Sequence, residues 1–323
     1  MIQTKATLRL LLCAAAFVLA NGVAFAQAQS EPKLDCGLST GQRATGEPIY
    51  IGGIVSKTGP DDFSASGIAA NAYFRCVNDN GGINGRPVIY TVADDQWNPK
   101  IANELAGKLI TDRQVIAMVG GSSMVECEAN ASLYAKSGVI ALVGTGVPKS
   151  CFHSPYISPL NTGPRISATI AAMYAAKSGA VKRMACIITT IPGLVDWGCN
   201  GVSDWGKKNG IAVDIVAFDV ANFNPAALVK QMVARNPDVI VANLPKGLLI
   251  PLMTEAQKLD LAKTIRFVSS APAYNPDVRI GNPTTGGRLW PRFWASQAFR
   301  LSLPERLISA SSPRFFGLHI FWQ

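Results

Sequence analysis

Residues 115–127 read VIAMVGGSSMVEC. Apolar residues run into two glycines and two serines, and Met124-Val125-Glu126 then read as the first turn of a helix. A short, wholly apolar run bounded by a Gly/Ser turn is the pattern of a strand buried on both faces. The pattern repeats in both directions along the chain. Candidate strands are residues 48–55, 88–93, 115–119, 139–143, 184–189, 212–218, 238–242 and 264–268, separated by helical stretches. In residues 98–112, Asn98 is a natural N-cap and Pro99 suits the first helical position. Ile101, Leu105 and Leu109, with Ala102 and Ala106 beside them, give that helix one apolar face to lay on a sheet. NDNGGINGRPV (78–88) is a turn by its Gly and Asn content. A break falls at residues 157–165, ISPLNTGPR, followed by a helix over 166–178 and further strands. Apolar strands alternating with helices predict an α/β protein with parallel sheets, in two similar lobes.

The 323 residues suit roughly two domains of about 150 residues each. At 48% hydrophobic residues a large core is possible and general disorder is excluded. Lys5 and Arg9, the apolar run from Leu10 to Ala20 and the small residues around Ala26 read as a cleaved secretory signal peptide over residues 1–26, which predicts export to the periplasm. Its apolar core is shorter than the roughly 20 residues of a membrane span. Cys13 leaves with it. The remaining cysteines, Cys36, Cys76, Cys127, Cys151, Cys186 and Cys199, are even in number, which in an oxidising compartment suggests disulfides. Chain proximity favours Cys36–Cys76, Cys127–Cys151 and Cys186–Cys199, among about 15 possible connectivities. A metal site is not expected: C-x-x-C is missing and the histidines are His153 and His319.

The net charge of +9 is unevenly spread. The signal region holds +2 and residues 279–323 hold +5, leaving +2 for residues 27–278. A near-neutral body without a basic stripe argues against nucleic acid as a partner.

Ligands of open parallel sheets sit outside the carboxyl ends of the strands. The segments there are 56–64, 120–124, 144–150, 189–197, 243–248 and 269–275, rich in Gly, Ser, Thr and Pro, with Phe63, Trp197 and Tyr274 as aromatic walls. A serine hydrolase would need G-x-S-x-G and a base, but Met124 stands where the last glycine belongs and His153 is the one histidine at hand in the body. GTGVPK (144–149) lacks the third glycine of a dinucleotide fingerprint and follows the fourth strand, not the first. No cofactor and no catalytic residue is expected. A serine at a helix N-terminus can instead help seat an anion such as a carboxylate, or merely cap the helix.

IGGIVSKTGP, NDNGGINGRPV, the acid pair of VADDQWNP, AMVGGSS and GVIALVGTG, in this order behind a signal peptide, resemble the periplasmic substrate-binding proteins of branched-chain amino-acid type ABC transporters, from about Ile49 to Asp277. The resemblance implies the type I periplasmic-binding-protein fold, two Rossmann-like lobes joined by a hinge, with lobe 1 over 27–160 and lobe 2 over 161–278. It implies a small carboxylate ligand trapped between the lobes and handed to ABC permease subunits at the membrane. Ser122, Ser123, Thr145 and Gly146 would take the carboxylate. Phe63 would face the ligand, and Ile191, Pro245, Ala271, Pro272 and Ala273 would fall in the second-lobe loops of the site. The acidic residue that often meets a ligand ammonium in this family has no counterpart in SSAPAYN (269–275), and Thr190-Ile191-Pro192 replaces a common tyrosine. Both departures point away from an α-amino acid and toward another carboxylate, such as an aromatic or short organic acid. A ligand-sensing partner of a membrane receptor would share the fold.

After Val278 the character changes. Residues 279–323 contain no Lys, no Asp and one Glu, with three of the six Trp. This segment reads as an atypical tail in place of the expected return to lobe 1, from a shifted reading frame near residue 279 or as a short variant with an interaction tail. The fold would then be incomplete at its C-terminal part, and the chain a non-functional fragment if lobe 1 fails without that return.

Overall fold

A computed structural model describes residues 35–177, 179–273, 278 and 294–295. The segment expected to be a signal peptide lies outside these residues, as does the tail apart from Trp294 and Ala295.

Two sheets form the frame. The first has strands β1 (Ile49–Val55), β2 (Val88–Asp94), β3 (Ala117–Ser122), β4 (Ile140–Thr145) and β5 (Ile157–Pro159), in the order β2-β1-β3-β4-β5. The second has β6 (Arg183–Thr189), β7 (Ala212–Phe218), β8 (Val239–Ala242), β9 (Arg266–Ser269) and β10 (Trp294–Ala295), in the order β10-β9-β8-β6-β7. All pairings are parallel, so the second sheet repeats the strand order of the first. In each, the order reverses between the first and third strands of that sheet. Their carboxyl ends are the crevices where such sheets take ligands.

The helices are α1 (Ala65–Asp79), α2 (Pro99–Thr111), α3 (Glu126–Ser137), α4 (Ser150–His153), α5 (Gly163–Lys177), α6 (Asn200–Lys208), α7 (Pro225–Val233) and α8 (Lys246–Lys258). Asn98 caps α2, its side chain accepting from the N–H groups of Lys100 and Ile101, with Pro99 at the first position. The face of α2 that goes deepest is Ala102, Ala106 and Leu109, with Leu105 at its margin. Small residues let α5 lie close on β8 and β9: Ala168, Ala171, Ala172 and Ala175 share one apolar cluster with Val239, Val241 and Val268. Asn84 and Gly85 both have positive φ between the paired Ile83 and Arg86, the geometry of a tight hairpin turn. Among the described residues, no helix is long and apolar enough to cross a membrane.

Two elements differ from the sequence reading. Residues 157–159 are a fifth strand on β4, not part of a break, and α5 starts at Gly163 instead of residue 166. β3 also runs further than its apolar core. Gly120, at φ +71°, lies in an irregularity that lets the strand continue, so Ser122 pairs with both Val55 and Thr145.

Disulfides join Cys36 to Cys76, Cys127 to Cys151 and Cys186 to Cys199. They tie the first described segment to α1, α3 to α4, and β6 to the residue before α6. On the sheet face that α1 covers, Ile140 and Leu142 of β4 remain 55% and 41% exposed.

Candidate functional site

A cleft of about 510 Å³ lies where the strand ends of the two sheets face one another. Phe63, Met124, Thr145 and Gly146 wall it from the first sheet's side, and Thr189, Asn243, Pro245 and Ser270 from the second. Asn161 to Pro164, the link that runs into the first turn of α5, line it as well. The first N–H groups of a helix have no intrahelical acceptor and sit at the positive end of its dipole, so this edge suits an anion. Among the described residues, no Asp, Glu, Lys, Arg or His lines the cleft.

The serine pair stands behind this wall. Ser122 and Ser123 are buried. The Ser123 hydroxyl accepts from the N–H groups of Val125 (3.0 Å) and Glu126 (2.8 Å), which caps α3, and it donates to the Asp95 carboxylate. Asp95 also accepts from the Ser56 hydroxyl (2.7 Å) and the Trp97 N–H (3.0 Å). Burial pushes the Asp95 carboxyl above the usual carboxylate range, although the bonds from Ser123, Ser56 and Trp97 pull it back down. Asp94 next door is the opposite case. Burial raises it, but bonds from Thr58, Gln96 and Lys57 outweigh that and hold it low. Asp95 thus fastens the loop after β1 to the loop after β3, and Asp94 fastens the loop after β1 to the end of β2. Ser123 is committed to that clamp and cannot also offer its hydroxyl to a base.

Deeper still, Glu126 is fully buried. Its Oε1 accepts from Tyr134 (2.7 Å), while Oε2 has no partner. Burial pushes its carboxyl up to about 8; the Tyr134 bond lowers it and the neighbouring charge of Asp95 raises it further.

Contacts bridge the lobes on both sides of the cleft. The Gly247 N–H donates to Asp61 at 3.0 Å, and the Lys149 N–H donates to the Gly193 carbonyl at 2.7 Å. Met124, Val125 and Val147 share one apolar cluster with Ile191 and Leu194 from across the gap. Trp197 stacks against Phe152 at 5.1 Å, away from the cleft lining.

Of the residues expected from sequence, Phe63, Thr145, Gly146, Pro245, Ala271 and Pro272 come together on the cleft wall. Phe63 is braced by Trp97, with ring centroids 5.9 Å apart. Gly146 differs from its expected role as a donor: its N–H already donates to Asn161 Oδ1 (2.8 Å), and Asn161 Nδ2 donates back to its carbonyl (3.0 Å). Ser122 and Ser123 are not brought to the wall, for the reasons given above. Ile191 is 8% exposed and packs in the apolar cluster between the lobes. Ala273 ends a short 3-10 turn, and its side chain lies outside what is described. Sequence reasoning passed over Thr189, Asn243 and Ser270. Each ends a strand or directly follows one, a residue or two before the positions it chose, so strand-end position alone was the available signal.

A family model described as a periplasmic binding protein matches residues 48–304, running past Asp277, where the resemblance read from sequence stops. No curated protein sequence matches the chain. Several solved structures share the fold. A solute-binding protein of an ABC transporter from Rhodopseudomonas palustris BisB5, in complex with 3,4-dihydroxybenzoic acid, is 21% identical with a TM-score of 0.61, over 72% of this chain and 64% of that one. One from R. palustris HaA2, in complex with p-hydroxybenzoic acid, is 18% identical with a TM-score of 0.62, over 71% and 63%. A leucine-binding protein from Thermotoga maritima MSB8 is 17% identical with a TM-score of 0.62, over 71% and 65%. The chain therefore spans less than two thirds of the length of each of these structures. With the matched model covering most of its length, the chain belongs to the periplasmic binding protein family.

Proposed function

We propose that this chain is the extracytoplasmic solute-binding component of an ABC importer, holding a small carboxylate between its lobes for delivery to permease subunits. The observation that carries the reading is the cleft itself, walled from both sheets at their strand ends and bridged by Asp61–Gly247 and Lys149–Gly193. The first turn of α5 and the Thr145 loop supply the anion-friendly edge, and Phe63 with Met124 the apolar wall. The ligands held by the structurally similar solute-binding proteins, hydroxylated benzoic acids, are carboxylates, which supports the same class here. Ligand binding would draw the lobes together because the bound molecule touches both only when they are closed.

The reading is of a holder and not a catalyst, since Ser123 is engaged as a cap and as a donor to Asp95. Export through the basic and apolar leader over residues 1–26 accords with a periplasmic site of action. Isothermal titration of the purified mature chain against a panel of amino acids, aromatic acids and short organic acids tests the proposal. At least one carboxylate should bind with micromolar or tighter affinity and be returned unchanged. A panel with no binder, or a bound acid recovered chemically changed, overturns it.

A further inference from the structure

Thr189 ends β6 and Ser270 directly follows β9, with Asn243 just past β8 between them. All three line the cleft. Adjacent strands stand about 4.8 Å apart, so their ends set the three side chains in a row along the second lobe's wall. The hydroxyls of Thr189 and Ser270 are fully buried, and neither has a hydrogen-bond partner. Asn243 is scarcely better served, reaching the Pro164 carbonyl at 3.5 Å. Buried polar groups in native proteins are almost always paired, and leaving one unpaired is costly. Two orphans on the wall of one cleft mark a place where a ligand completes the bonding.

Resting on the carboxylate-binding reading above, we infer that Thr189 and Ser270 form a neutral polar subsite that selects carboxylic acids bearing a hydroxyl over their amino and unsubstituted counterparts. A ligand hydroxyl both donates and accepts, so it can pair with one of these hydroxyls and with the Asn243 amide that stands between them. An unsubstituted acid leaves both orphaned. An ammonium group cannot accept from them, and among the described residues no carboxylate lines the cleft to balance its charge, so burying it there is costly. Sites built to hydrogen-bond a ligand hydroxyl discriminate strongly against analogues lacking one.

The test is calorimetric titration of the full mature chain with benzoate and 4-hydroxybenzoate, and with 4-methylpentanoate, its 2-hydroxy derivative and its 2-amino derivative, leucine. In at least one series the hydroxy acid should bind about tenfold or more tighter than its unsubstituted and amino partners. The variant carrying Thr189→Val and Ser270→Ala should bind hydroxy and unsubstituted acids alike, with affinity for the unsubstituted acid kept within about twofold. Because both replaced hydroxyls are unpartnered, the ligand-free variant should melt no lower than the parent. Unsubstituted acids binding as well as hydroxy acids, leucine binding best, or a hydroxyl preference that survives in the double variant would each overturn the subsite while leaving the carboxylate reading standing. No binding anywhere in the panel would overturn both.

Discussion

The Asp61 carboxylate accepts a hydrogen bond from the Gly247 N–H at 3.0 Å, joining the loop after β1 to the first turn of α8 across the cleft. A carboxylate in that position meets an N–H without an intrahelical acceptor and the positive end of a helix dipole. The approach also requires glycine, because a Cβ at position 247 would lie 2.0 Å from the Pro60 carbonyl oxygen. Gly247→Ala therefore obstructs the contact between lobes while sparing the interior of each. Its expected signature is a ligand affinity at least tenfold weaker, about 1.4 kcal/mol, with an unchanged ligand-free melting temperature. Asp61→Asn keeps an acceptor and loses the charge, so it should cost only about two- to fivefold. Small-angle scattering of Gly247→Ala with saturating ligand is the deciding measurement. A radius of gyration equal to that of the liganded parent would show that the contact does not govern closure.

The buried carboxyl of Glu126 makes stability depend on pH in a defined direction. Burial raises it from 4.5 to about 8 in the fold, and Asp95 is raised as well. Between those values the unfolded chain has released the Glu126 proton and the folded chain keeps it. The native state then binds more protons, and stability falls as pH rises. The stabilising effect is complete below about pH 4.5 and is lost through about pH 8. Urea midpoints measured from pH 5 to pH 9 should decline for the parent. Glu126→Gln, which keeps the acceptor for Tyr134, should flatten that slope to the part due to Asp95. A variant with the parent's full slope would show that Glu126 titrates normally in the fold.

The frame was legible where periodicity alone decides it. Each run that reads as a strand became one, most plainly where both faces are covered and the run is apolar at every position, as in Val239–Ala242 of β8. β5 was not legible: Ile157-Ser158-Pro159 holds one large aliphatic residue and a proline, and it is a strand because β4 offers it an edge. The site was half legible. Strand-end position picks out the segments that hold Phe63, Thr145, Pro245 and Pro272, and the family resemblance implies those residues within them. The partnership of Ser123 with Asp95 joins residues 28 apart in sequence, so neither signals the other. Thr189 and Ser270 are ordinary strand-end residues in sequence, and only the packing around them reveals that their hydroxyls lack partners.

Ser123→Ala separates the cap from any chemistry. It removes the acceptor of the Val125 and Glu126 N–H groups and one donor to the buried Asp95. Leaving such groups unsatisfied should cost about 1–3 kcal/mol in chemical denaturation. Ser122→Ala, whose hydroxyl has no role in the clamp around Asp95, should cost less. Neither parent nor variant should hydrolyse p-nitrophenyl esters above the buffer rate. Ester turnover by the parent that Ser123→Ala abolishes would restore the serine as a nucleophile.

The disulfides separate stability from function by where they sit. Cys127–Cys151 ties the start of α3 to α4, beside the Met124 and Val147 positions that line the cleft. Cys36–Cys76 lies at the far end of α1, near the turn before β2. Closing loops of 24 and 40 residues restricts the unfolded chain to similar degrees, so replacing either pair by alanine should cost about 2–4 kcal/mol in urea. Affinity should divide them. Losing Cys127–Cys151 frees the loops on the cleft wall and should weaken ligand binding severalfold, whereas losing Cys36–Cys76 should leave binding at the parent's level once the protein is folded. Paired urea melts and calorimetric titrations on the two double variants measure both quantities. Equal losses of affinity would mean that the first lobe transmits strain along its whole length, and that the cleft loops are not held locally by the Cys127–Cys151 bond.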